Sequence, residues 1–306
     1  MVNRETTAEY ACFGGGNAKI FCADVSRLGG GPTSHAMAVI VIQGADDDRL
    51  AEYRDVPAPD AVRSRGLFVA EGRRVVERLV GTRRFRIRSL LVSEPARRAL
   101  EPTLALLDPD VPIYVCGAGD FAGITGFDLH RGCLALVHRP SPVPPAALMQ
   151  AARTLIVLEA VANADNIGGV FRNAAAFGAG AVLLSPSCCD PLYRKAIRTS
   201  MAATLRVPFA RVEDWPDGLS EIRARGFAIV ALTPRVGSQP LDVFAGGPRP
   251  DRLALLVGAE DQGLSAAAEA AADYHVRIPI APDVDSLNLA VATGIALSWL
   301  LRGGGL

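Results

Sequence analysis

Lysine is almost missing from this chain. Of its 32 basic residues only Lys19 and Lys195 are lysine, a pattern of GC-rich coding in which arginine frequency alone says little. Acidic residues also number 32, so no whole-chain field draws in a polyanion. Histidine is scarce, and the six cysteines (Cys12, Cys22, Cys116, Cys133, Cys188 and Cys189) form no Cys-x-x-Cys pair. Metal-ligand spacing is therefore lacking, and no metal centre is expected. The adjacent Cys188 and Cys189 are expected to be reduced thiols on a loop. No apolar run is long enough to span a membrane without a charge or helix breaker, and no secretory leader is evident. A soluble, cytoplasmic protein is the expectation. A hydrolase reading has no Gly-x-Ser-x-Gly elbow to stand on.

What is present is local. Between Asp60 and Arg98 eleven arginines face four acids, Asp60, Glu71, Glu77 and Glu94. Arg83, Arg84, Arg86 and Arg88 are bunched within this stretch. Two readings stay open: a solvated surface, or a docking face for an anionic partner.

The 306 residues allow two domains. Residues 1–36 are Gly-rich and aperiodic, which predicts disorder or loose packing, with Met37 as an alternative start. Residues 37–139 read as a small α/β domain, with strands in "GLFVAEG", "IRSLLVS", "PIYVCG" and "GCLALVHR". The stretch "GRRVVERLVG" between the first two has helical periodicity, with Val75, Val76, Leu79 and Val80 on one face. The Pro-rich residues 140–150 read as a linker. From 151 to 306 strands alternate with helices near 167–178, 191–203, 217–225, 265–272 and 286–301. That alternation predicts a mostly parallel sheet with helices on both faces. Ligands bind such sheets beyond the carboxyl ends of the strands.

Three strand-to-helix junctions there carry unusual residues. In "EAVANADNIGGVFR" (159–172), Asn166 is placed to cap a helix, and Gly168–Gly169 permit a close approach. Arg172 follows among Phe171, Ala174, Ala175 and Ala176, where a charge needs a cleft or a partner. In "VGAEDQGLS" (257–265), Gly258 and Gly263 suit a sharp turn and Ser265 a cap. The turn is neither a phosphate loop nor Gly-x-Gly-x-x-Gly. Glu260 either accepts from turn amides or is the counter-charge to Arg172. In "VRIPIAPDVDSLNLAVATGIAL" (276–297), Ser286 or Asp285 is expected to cap the last helix, with Asn288 in its first turn. That helix is apolar nearly all round, so it is either central to the core or pressed against another subunit. His275 lies in a strand pattern and reads as structural.

These three blocks, in this order, resemble the SpoU (TrmH-type) branch of the SPOUT superfamily, the S-adenosylmethionine-dependent RNA 2′-O-ribose methyltransferases. The resemblance implies a deep trefoil knot in the catalytic sheet, preceded by a small RNA-binding domain at residues 66–139. It implies cofactor contacts from Leu232, Thr233, Gly258, Ile278 and Leu287, and a catalytic polar set of Asn166, Arg172, Glu260, Ser286 and Asn288. It further implies RNA contacts from Arg73, Arg74, Arg83, Arg84 and Arg86. A homodimer through helix 286–301 would complete each site, and rRNA is expected ahead of tRNA as substrate.

Two positions depart from the family's pattern. The family often has Gly where Asp261 and Gln262 stand, and "APDVD" lacks the Gly that commonly precedes Ser-Leu-Asn. These loops keep open an alternative, a non-catalytic RNA-binding factor with the same fold. A different Rossmann-like enzyme lacks a phosphate loop and an acidic ribose ligand. On the resemblance, Arg172 faces the ribose and phosphate, held by Glu260, and the small domain supplies phosphate affinity separable from cofactor binding.

Overall fold

The computed structural model describes residues 38–56, 58–117, 120–126, 132–284 and 286–301. Expectations for residues 1–36, for Met37 as a start and for Asp285 lie outside the described residues.

A five-stranded sheet comes first in the chain. It comprises β1 (Val39–Val41), β2 (Leu67–Glu71), β3 (Ile87–Ser93), β4 (Ile113–Cys116) and β5 (Cys133–His138), in the order β1-β4-β3-β5-β2. β3 pairs with β4 in parallel and with β5 antiparallel. The Arg73–Thr82 helix buries Val75, Val76, Leu79 and Val80, the face its periodicity marks.

The second sheet contains β6 (Thr154–Leu158), β7 (Ala181–Leu184), β8 (Phe209–Arg211), β9 (Ala228–Leu232), β10 (Gln239–Pro240), β11 (Leu253–Val257) and β12 (Tyr274–Arg277). Their order is β10-β12-β9-β11-β6-β7-β8, and every pairing is parallel. Strands such as "TLIVL" and "LALLV" are apolar at successive positions because both faces are covered. Ile156, Leu255 and Val257 join one core beneath the Ala164–Phe177 and Leu289–Leu300 helices. Their neighbours Leu155, Ala254 and Leu256 join another, beneath the Pro145–Ala151 and Gly218–Ala224 helices. The alternation follows from the two-residue period of a strand. This is the α/β layering the alternating pattern predicts. From β6 the chain moves outward through β7 and β8, then returns to the other side of β6 as β9 and β11. The adjacent carboxyl ends of β9, β11 and β12 lie on the side of the sheet edge where ligands bind such folds.

The lobes share a core. Leu192, Ile197, Ala202 and Leu205 pack with Phe68, Val76, Leu79 and their neighbours in one buried cluster. Arg139 pairs with Asp190 at 2.5 Å, and Arg84 donates to the Arg206 carbonyl at 3.0 Å. Part of the Pro-rich stretch, Pro145–Ala151, is helical and buries Leu148 and Met149. Cofactor-lobe stability is therefore tied to the small lobe, and the simple separability expected of the two has a physical obstacle in this shared cluster.

Candidate active site

Loops leaving β9, β11 and β12 meet because those strands are neighbours and point the same way. Between them lies a cavity of about 530 Å³. Leu232, Thr233, Gly258, Glu260, Ile278, Ser286 and Leu287 all line it. The five residues expected to touch a cofactor, drawn from three distant segments, thus come together with two of the polar set.

The Gly258–Gly263 turn closes by backbone contact. A Cβ on Gly258 would lie 2.1 Å from the Gly263 carbonyl carbon, and Gly263 itself has φ +67°. The Gly263 amide donates to the Ala259 carbonyl at 2.9 Å. Asp261 and Gln262 are exposed at the tip, so their departure from the family pattern leaves the closure intact. Ser265 caps the Ala266–Ala270 helix, as its position predicts.

Glu159 is a residue that sequence reasoning passed over. It is 6% exposed and accepts from Trp215 Nε1 at 2.7 Å, Ser265 Oγ at 2.8 Å and Ser265 N at 2.8 Å. This buried carboxylate ties the end of β6 to the far end of the 258–265 loop. Its signal in the sequence is an acid closing an apolar strand, "TLIVLE"; its partners lie too far along the chain to be read. Ala160, next in line, adopts φ +55°. At the polar end of the cavity Thr233 Oγ1 donates to Glu269 Oε1 at 2.8 Å, and Arg235 pairs with Glu269 at 3.2 Å.

Asn166, Glu260 and Asn288 form a closed triangle. Asn166 Nδ2 donates to Glu260 Oε2 at 2.8 Å. Asn288 Nδ2 donates to Asn166 Oδ1 at 2.9 Å and to Glu260 Oε1 at 3.2 Å. Three expectations need correction here. Asn163, not Asn166, caps the first helix, accepting from Asp165 N; Asn166, 4% exposed, is in its first turn. Asn288, not Ser286, caps the last helix, accepting from Ala290 N and Val291 N. The helix begins only at Leu289, which leaves exposed Ser286 in the loop.

The third correction concerns Arg172. Glu260 is engaged by two neutral amides and is not its counter-charge. Arg172 is exposed, has no hydrogen bond or ion pair among the described residues, and does not line the cavity. Six residues past Asn166, it lies about 9 Å farther along the axis and on another face. The burial of Phe171 and Ala174 beside it reflects their own phase on the helix.

The small-lobe arginines do not form one patch. Arg73 and Arg74 are exposed at the start of their helix, Arg83 and Arg86 at the other end. The latter two line a second cavity of about 850 Å³ with Tyr114 and His138. Burial, then Arg86 and Arg88 nearby, lowers the pKa of His138. Arg84 is turned onto the other lobe.

The Leu289–Leu300 helix has a buried face, as the core reading requires, and an exposed one. Leu289, Thr293, Ala296, Leu297 and Leu300 are buried, while Val291 and Trp299 are 52% and 41% exposed. Its contact with the Ala164–Phe177 helix is close: a Cβ on Gly169 would lie 2.5 Å from Ala290 Cβ, and Asn173 Nδ2 donates to the Ala290 carbonyl at 2.6 Å. His275 is in β12, its Nε2 3.0 Å from the Glu269 carbonyl. Cys188 is buried, its thiol donating to the Leu158 carbonyl, and both Cys188 and Cys189 are free thiols. No helix among the described residues is long and apolar enough to cross a membrane.

A parallel α/β lobe with a strand-end cavity and a carboxamide–carboxylate triangle has counterparts among known proteins. The SpoU rRNA Methylase family is matched over residues 153–298. An uncharacterized tRNA/rRNA methyltransferase of Mycobacterium bovis is 39% identical over 263 residues, 85% of this chain and 90% of that one. The AdoMet-bound rRNA methyltransferase of Sinorhizobium meliloti shares the fold, with a TM-score of 0.73 at 24% identity over 88% of this chain and 100% of its own. A solved RNA 2′-O ribose methyltransferase aligns with a TM-score of 0.68 at 25% identity, covering 86% of this chain and 98% of that one. These define the class as an RNA methyltransferase. The chain belongs to the SpoU rRNA methylase family.

Proposed function

We propose that this protein transfers the methyl group of S-adenosylmethionine to a ribose 2′-hydroxyl of structured RNA, rRNA ahead of tRNA. The observation that carries the reading is the single cavity lined by Leu232, Thr233, Gly258, Ile278 and Leu287, with Glu260 and Ser286 also on its wall. The alignment with a solved RNA 2′-O ribose methyltransferase supports it; the leaning to rRNA rests on fold-level analogy.

The residues fit the methyl donor. Leu232, Ile278, Leu287 and Leu289 give the cavity apolar walls for a planar base, and Thr233, Arg235 and Glu269 a polar end. The tight 258–263 turn brings backbone close to the cavity. When bound, the donor supplies a methyl group already activated on a sulfonium, so positioning is the main demand on the protein. Transfer to the ribose would require the 2′-hydroxyl to lose its proton, and the chain's part would be to orient that oxygen and stabilise the charge developing on it. Asn166 and Asn288 hold the Glu260 carboxylate at the rim. A guanidinium is a poor general base, so the role of Arg172 is to grip phosphate and stabilise charge developing on the 2′-oxygen.

Since Arg172 lies off its own chain's cavity, the reading includes a homodimer in which a second copy completes each site. Val291 and Trp299, exposed on a helix packed against the one bearing Arg172, supply the apolar surface for it. It also includes a knotted path after β12, rare among folds, which carries the chain back to pack on the Ala164–Phe177 helix.

Incubation with methyl-labelled donor and total RNA, followed by nucleoside mass spectrometry, tests this. Label in 2′-O-methyl nucleosides is expected. Label confined to bases overturns the ribose assignment, and absence of donor binding by calorimetry favours a non-catalytic RNA-binding factor.

A further inference from the structure

The exposed face of the Ala164–Phe177 helix that carries Arg172 continues into a second short helix. Two turns before Arg172, Asp165 accepts from Lys195 Nζ at 2.7 Å and from Thr199 Oγ1 at 2.9 Å. The Lys195 hydrogen bond, then that of Thr199, holds its carboxyl below the usual carboxylate range. The Arg194–Thr199 helix is pressed against this face: a Cβ on Gly168 would lie 2.7 Å from Thr199 Cβ. Three residues beyond Lys195, and so on the same side of that helix, Arg198 pairs with Glu71 at 3.3 Å. Glu71 ends β2, and exposed Arg73 and Arg74 open the next helix just after it.

Cations thus follow one another from the small lobe to Arg172. Their orientation differs from that of the acids between them. Lys195 and Arg198 side chains are 46% and 53% exposed, whereas Glu71 is 14% exposed and sits beneath Arg194 and Arg198. Asp165, comparably open, is engaged twice. Six cations, Arg73, Arg74, Arg172, Arg194, Lys195 and Arg198, set against Glu71, Asp165 and the exposed Glu77 leave the line positive.

We infer that this line, through Lys195 and Arg198, is the track on which the RNA phosphate backbone crosses from the small lobe to Arg172. A row of outward, spaced cations matches the backbone contacts that position a nucleic acid without reading its sequence. The inference rests on the RNA methyltransferase reading and adds to it the residues that carry substrate between the lobes.

The test uses the full chain and a fluorescein-labelled RNA hairpin of arbitrary sequence, titrated by anisotropy over a series of KCl concentrations. Each phosphate contact contributes about 0.7–0.9 to the slope of log K against log salt. Lys195→Gln, which leaves both Glu71 pairs intact, should lower the slope by about 0.8, and Lys195→Gln with Arg198→Gln by about 1.6. Donor binding and melting temperature should not move. Arg225→Gln, paired with Glu221 on a helix of the opposite layer, is the control and should leave the slope alone. If the double variant keeps the wild-type slope while Arg73→Gln and Arg74→Gln lower it, the track does not cross this helix and the inference falls with the function standing. If the wild type binds the hairpin without salt dependence, both fall.

Discussion

The strand-end cavity and the basic track differ in how their polar groups are held. At the cavity the groups that shape its wall have fixed partners. Glu260 is bonded by two carboxamides, Glu159 by three donors, and Gly258 by contact with Gly263. Along the track the cations face solvent even where they are ion-paired, as Lys195 is with Asp165 and Arg198 with Glu71, and Arg172 has no partner among the described residues. Placement at the cavity depends on packing, while binding at the track depends on counterion release. Variants in the first should change stability and donor binding together; variants in the second should change RNA affinity alone.

The largest effect is expected from Gly258→Ala. The added Cβ would meet backbone at 2.1 Å, and the backbone of a closed turn yields far less readily than a side chain end. A loss of about 3 kcal/mol or more is expected in denaturant unfolding, with donor binding abolished in calorimetry. Near-native stability would mean that the cavity wall is as tolerant as the track.

Arg172→Lys comes next and works from the other side. A point charge keeps the electrostatics and loses the planar fork. Turnover should fall on the order of 100-fold, as for loss of one group that stabilises transition-state charge. Stability should stay within about 0.5 kcal/mol, because the side chain is exposed. Methylation at wild-type rate would remove Arg172 from the chemistry.

Glu159→Gln sharpens the cavity half. The amide keeps one acceptor oxygen, so its NH2 must face either the Ser265 amide or the side shared by Trp215 Nε1 and the Ser265 hydroxyl, and in either orientation it meets an N–H that is itself a donor. The expected cost is about 1–3 kcal/mol, read as a shifted midpoint, with weaker donor binding and an unchanged RNA salt slope. A changed slope with intact donor binding would invert the comparison.

The sequence made legible what short, chemically distinct loops carry. Leu232, Gly258 and Ile278 stand at the ends of strands, and parallel pairing brings such ends together whatever their separation along the chain; Leu287 reaches the same cavity from the loop before the last helix. What failed was phase and distance. Asn163 and Asn166 are both competent caps one turn apart, so the sequence offers two helix starts, and only the fold chooses. Ala174, Ala175 and Ala176 fit any face of a helix, so they could not reveal that Arg172 points to solvent. The arginines at 73–86 are neighbours in sequence, yet a ten-residue helix sets Arg73 and Arg83 about 15 Å apart. The Leu241–Gly246 helix and two-residue β10 were missed because neither is long enough to show a period.

Arg83 offers the finest separation of the two regions. It ends the Arg73–Thr82 helix in the left-handed conformation, φ 51° and ψ 20°, a position where glycine relieves a steric cost of about 1–2 kcal/mol. Glycine's greater freedom in the unfolded chain offsets roughly 0.5–1 kcal/mol of that relief. Arg83→Gly should therefore raise stability slightly, by about 0.5 kcal/mol in urea unfolding. If Arg83 contacts phosphate, the same variant should lower the RNA salt slope by about 0.7–0.9. A more stable protein that binds RNA less well would place Arg83 at a strained backbone position kept for its charge. Stability and RNA affinity falling together would instead give Arg83 a structural part in its lobe, and the contrast between packed and solvent-facing polar groups would stop at the Arg194–Thr199 helix.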